Sequence, residues 1–116
     1  MIIHKVIRKG SDHLVYCQDS LSIGETNKYL FCSIQDGCSG GKDSHFASSL
    51  FSKAFDHTIK NYYYALDGLR LNIEESVKLF IHMMSVKISE VKHALHLDVI
   101  ELLSTLVFCA INKETR

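Results

Sequence analysis

The 116-residue chain has no proline, no surplus of either charge, no Cys-x-x-Cys pair and no apolar run of membrane length. Without proline, a low-complexity tract or an internal repeat, nothing marks a linker, and the length suits one domain that buries roughly two thirds of its unfolded surface. Thirteen basic residues balance thirteen acidic ones. No field of one sign therefore draws the protein to nucleic acid or to an anionic membrane, and a charged ligand must be held by local geometry. The longest apolar run, Leu106 to Ile111, falls far short of the roughly 20 residues of a membrane-spanning helix. Cys17, Cys32, Cys38 and Cys109 lack zinc-ribbon spacing, and the start MIIHKVIRKG lacks the charged-then-apolar layout of a signal peptide. The expectation is a cytoplasmic protein with reduced thiols, no nucleic-acid partner and no membrane anchor.

What is present reads as strands, two long helices and a strand. Residues 2–8, IIHKVIR, are β-branched and closed by Lys9-Gly10-Ser11-Asp12, which predicts a first strand. A second strand is predicted around Val15 to Ile23 and a third from Tyr29 to Ile34, with Leu30, Cys32 and Ile34 facing one way and Tyr29, Phe31 and Ser33 the other. The polar run Gly24 to Lys28 between them suits an antiparallel hairpin. Asp43 or Ser44 can cap a helix whose apolar positions, from Phe46 to Leu66, recur every three or four residues and end near Asp67-Gly68. Asn72, with Glu75 three residues on, opens a second helix that is expected to pack antiparallel to the first. Ser104 to Ile111 is apolar at both parities and predicts a strand buried on both faces.

Between the third strand and the first helix lies QDGCSGGKDSHF, residues 35–46, holding half of the six glycines. A nucleotide phosphate loop needs four residues between its first glycine and a Gly-Lys-Ser/Thr triplet. Gly37 and Gly41 are separated by three, and Asp43 follows Lys42, so the match fails twice. A phosphatase cysteine of the tyrosine-specific kind requires an arginine six residues on; after Cys38 that position is Ser44. Cys38 then reads as a small residue filling a turn. The acids remain. Asp36 stands at a strand end, Gly37 leaves its backbone open to a ligand, and Asp19 lies on the neighbouring strand of the same predicted hairpin. Carboxylate and carbonyl oxygens are the donors that Mg²⁺ and Mn²⁺ prefer, while Asp-Gly is equally a common turn pair.

These residues resemble the metal-dependent serine/threonine phosphatases of the phosphatase 2C type. Cys17-Gln18-Asp19-Ser20 is similar to the family's first metal motif, with Gly10-Ser11-Asp12-His13 ahead of it as in many bacterial members. The run from Leu30 through Asp36-Gly37 to Gly41 resembles the second motif, and Leu103-Ser104-Thr105-Leu106-Val107 resembles the strand that follows the family's helix pair. The likeness extends from about residue 8 to about 112. It implies an α+β, partial phosphatase-2C-like β-sandwich with the two antiparallel helices packed on antiparallel strands, and hydrolysis of phosphoserine or phosphothreonine in a protein substrate by a water activated between two Mn²⁺ or Mg²⁺ ions. Carried onto this chain, Asp36 is the carboxylate bridging the two ions, Gly37 offers its carbonyl to one, and Asp19 holds a water on the metal. Gln18 stands where some members have a glutamate ligand, and His13 substitutes for the basic residue that holds the phosphate. The family's further aspartates have no counterpart after Thr105, where Glu114 is the one acid. The chain is therefore expected to be the amino-terminal half of a longer enzyme, weakly active or inactive alone, or a short relative that covers its apolar faces by pairing with another copy. A non-catalytic binding module on the same scaffold, and a small interaction protein whose Asp-Gly is only a turn, are the competing expectations.

Overall fold

The structure, a computed structural model, describes residues 2–8, 19–37, 44–68 and 70–115. The order is β1 (Asp19–Glu25), β2 (Tyr29–Gly37), α1 (Ser44–Gly68), α2 (Ile73–Ala94), a 3₁₀ turn (Val99–Leu102) and β3 (Ser104–Asn112). The class is α+β: one three-stranded antiparallel sheet in the order β1-β2-β3, with two helices. Both helices lie against the same side of the sheet. No helix among the described residues is long and apolar enough to cross a membrane.

The central strand is amphipathic in a way that decides the architecture. Tyr29, Phe31, Ser33 and Gln35 are buried, whereas Ile34 and Asp36, at the alternate positions, are exposed. Strand residues alternate in direction, so one face of β2 meets the helices and the other does not. The covered face continues onto Leu106, Phe108 and Ala110 of β3. From α1 come Phe51, Ala54, Phe55, Ile59 and Leu66, and from α2 Leu79, Phe80, Met84 and Ile88. The aromatic rings interlock at its centre: Phe80 lies 4.8 Å from Phe31, 4.9 Å from Phe55 and 4.9 Å from Phe108, centroid to centroid. Such tilted pairs add about 0.5–1.5 kcal/mol each beyond area burial.

The helices run antiparallel. Ser76, at the start of α2, donates through Oγ to the carbonyl of Leu66 near the end of α1, while Phe80 meets Phe55 a few turns earlier. Asn72 caps α2 by accepting from the Glu75 amide at 2.8 Å, satisfying one of the first-turn donors that have no helical partner. At the other end His96 adopts φ 53°, the left-handed position, and the Leu97 amide donates to the Lys92 carbonyl at 2.9 Å. α1 is interrupted at Tyr62, where φ −118° and ψ 17° depart from helical values.

Three expectations are corrected. Residues 2–8 form no strand and lie exposed, with Ile2 and Val6 more than four-fifths accessible. β-branched composition alone does not make a strand; pairing and burial of a face do. Gly24 and Glu25 belong to β1 rather than to the connection, which is the shorter turn Thr26 to Lys28, held by the Thr26 amide donating to the Tyr29 carbonyl at 2.9 Å. β3 is not buried on both faces: Val107 and Cys109 point away from the helices, Val107 at 65 % exposure. Its outward positions Val107 and Cys109 continue the apolar rows of Leu21, Ile34, Ile23 and Cys32 on that side of the sheet. The described residues make one three-stranded sheet. The predicted Asp43 cap, Cys38 and Val15 to Gln18 lie outside the described residues.

Candidate metal centre

The register of the sheet places the two singled-out acids side by side. Asp19, the first residue of β1, is the direct cross-strand partner of Asp36, and Asp36 is the direct partner of Thr105 on β3. Directly opposed residues share a face of a sheet, with β-carbons about 4.5–5.5 Å apart. Asp19, Asp36 and Thr105 thus form one row across three strands, on the side away from the helices. Both aspartates are exposed to solvent.

The backbone under Asp36 is tied to β3. The Ser104 hydroxyl donates to the Asp36 carbonyl at 3.2 Å and the Thr105 hydroxyl donates to the same oxygen at 3.4 Å. Gly37 is buried opposite Ser104. Those two hydroxyls were absent from the ligand set read in the sequence. Their role depends on a pairing between residues 69 apart in the chain, which no local spacing reveals.

The donor set fits a hard divalent cation in part. Two carboxylates directly opposed on one face repel each other, and a bound Mg²⁺ or Mn²⁺ would convert that repulsion into coordination by the oxygen ligands these ions prefer. Among the described residues, however, no group of three or more His, Cys, Asp or Glu side chains converges on one point. Gln18 and His13 lie outside the described residues. The carbonyl oxygen Oε1 of Gln35, buried and without a hydrogen-bond partner, offers no additional ligand. It belongs to the helix-facing side, where its Nε2 donates to Ser33 Oγ at 2.8 Å and to Ser22 Oγ at 3.4 Å.

A cleft of about 440 Å³ opens at the opposite end of the sheet, lined by Asn27, Lys28, Tyr63, Tyr64, Asp67 and Glu114. Eight strand positions separate Lys28 from Asp36, about 26 Å. One of the cleft's two carboxylates is already engaged: Asp67 accepts from the Asn27 amide at 2.7 Å and the Lys28 amide at 3.3 Å, pinning the hairpin turn to the end of α1. The chemistry of the Asp row is thus separate from this cleft.

The open side of the sheet is otherwise apolar. Leu21, Ile34 and Val107 form the row next to the aspartates, and Ile23, Cys32 and Cys109 the row after that. A shallow hollow of about 110 Å³ lies over Leu21, Ile34 and Val107 and the two cysteines. No family model, curated protein or solved structure matches the chain.

Proposed function

We propose that this chain is a phosphatase-2C-like protein in which Asp19 and Asp36 hold a divalent cation, Mn²⁺ or Mg²⁺, for hydrolysis of phosphoserine or phosphothreonine in a protein substrate. The observation that carries this reading is the Asp19-to-Asp36 register at one edge of the open sheet face. The chemistry that divalent ions supply in such a site is acidification of a water for attack on phosphorus and neutralisation of phosphoryl charge. The chain's own part is positioning. The β1–β2 ladder fixes the spacing of the two carboxylates, and Ser104 and Thr105 hold the backbone of Asp36 against β3. Gly37 follows directly, where its carbonyl would be the third oxygen donor, and Gln18 and His13 would serve as a neutral ligand and a phosphate contact. In this reading the remaining acidic ligands come from a polypeptide segment outside the described residues, packed on the open face. The setting is cytoplasmic.

A second reading rests on that same face. Ile34 and Val107 are 52 % and 65 % exposed at its centre, a contiguous apolar surface of the kind that marks association. A non-catalytic, oligomerising module on a phosphatase-like scaffold would use it without turnover.

The test is Mn²⁺-dependent hydrolysis of an aryl phosphate by the 116-residue protein. The phosphatase reading expects slow turnover that requires Mn²⁺ and is abolished by Asp36→Ala. Absence of turnover with concentration-dependent light scattering favours the module instead.

A further inference from the structure

Cys32 of β2 and Cys109 of β3 are direct cross-strand partners. Opposed residues of antiparallel strands have Cα atoms about 4.5 or 5.5 Å apart, according to whether the pair is hydrogen-bonded, and both values lie inside the roughly 4.4–6.8 Å span of disulfides. The two thiols are near enough for each to feel the other's charge. Cys109 is exposed and Cys32 half-buried, both on the face that the helices leave open, and both are reduced in this structure. Nothing in the Asp19, Asp36 and Thr105 row uses them: along β2 they sit four positions, about 13 Å, from Asp36.

We propose that Cys32 and Cys109 are a redox-active dithiol that exchanges with small-molecule disulfides of the glutathione type to form a reversible cross-strand bond on the open sheet face. The exposed Cys109 thiolate attacks the small disulfide R–S–S–R, forming Cys109–S–S–R and releasing one thiolate. The Cys32 thiolate then attacks the Cys109 sulfur, forming the Cys32–Cys109 bond and expelling the second thiolate. The two thiol protons end on the two RSH released, so the protein loses two electrons and the small disulfide gains them. Burial and the neighbouring thiol both push the Cys32 thiol up from its ordinary range. The exposed Cys109 is therefore the entry point and the half-buried Cys32 the resolving thiol. The bond closes a loop that contains both helices and ties the central strand to the edge strand. Oxidation should accordingly raise Tm. Exchangeable pairs of this kind are the usual form of disulfide in reducing compartments.

The experiment equilibrates the double variant Cys17→Ser/Cys38→Ser, which retains only this pair, with mixtures of oxidised and reduced glutathione. Intact mass and thiol titration are then recorded. The expected result is a monomer lighter by two hydrogens, with both thiols lost in oxidising mixtures and both restored by reduction, and a higher Tm for the oxidised form. Peptide mapping of the wild-type chain under the same buffers provides a check without substitutions: Cys32 and Cys109 peptides appear crosslinked. Persistent free thiols, a stable glutathione adduct on Cys109, or only interchain crosslinks would each overturn the proposal.

Discussion

Phe80→Ala should lower the unfolding free energy by about 3–5 kcal/mol, a large part of the roughly 5–15 kcal/mol that holds a small domain together. Phe80 is fully buried. Its ring is within 4.9 Å of rings from three other elements: Phe55 of α1, Phe31 of β2 and Phe108 of β3. Truncation removes the transfer free energy of the ring and leaves a cavity walled by aromatics that are themselves anchored on different elements and cannot all move inward. Urea unfolding monitored by circular dichroism measures this. The midpoint should fall steeply with the slope unchanged, since the denatured chain is not altered in its exposed area to first order. A shift under about 1 kcal/mol would mean that α2 is not packed on the sheet as described.

Gly24→Val should also destabilise, by about 1–3 kcal/mol, even though valine favours strands. A β-carbon at Gly24 would lie 2.7 Å from Ile59 Cγ1, 3.0 Å from its Cδ1 and 3.3 Å from Phe55 Cε1. β1 approaches α1 closely enough that only a residue without a side chain fits. The control is the double variant with Ile59→Ala, which vacates the space. A thermodynamic cycle should show coupling of about 1 kcal/mol or more in the compensating direction, as for other contacting pairs. Strict additivity would contradict the contact.

These two residues mark the limit of what the sequence discloses. Phe80 is legible as a core position because it falls on the three-and-four period of α2, and Asn72 is legible as a cap because its partner Glu75 is three residues away. Periodicity and capping are local, so a single chain displays them. Gly24 is not legible in this way. Its proximity to Ile59 follows from how α1 lies on β1, and by composition it reads as part of a turn. The same distinction runs through the candidate site. Asp36-Gly37 and Asp19 stand out locally, and a hairpin turn of only Thr26 to Lys28 between β1 and β2 fixes the register that opposes them. Thr105 opposite Asp36, and Cys109 opposite Cys32, depend on a strand that returns only after both helices. The N-terminal run, residues 2–8, shows the converse error. Its composition suits a strand, but a strand needs a partner edge, and it remains exposed.

The central claim is that the opposed pair Asp19 and Asp36 binds a divalent cation. Isothermal titration of the reduced protein with Mn²⁺ tests it most directly, since it requires no catalysis and no knowledge of the substrate. The expected result is saturable binding with Kd below about 1 mM, the range of weak oxygen-ligand sites. Asp19→Asn and Asp36→Asn should each weaken it at least about tenfold, in folded proteins with unchanged circular dichroism. No binding heat at millimolar Mn²⁺, or binding indifferent to both substitutions, would contradict the assignment.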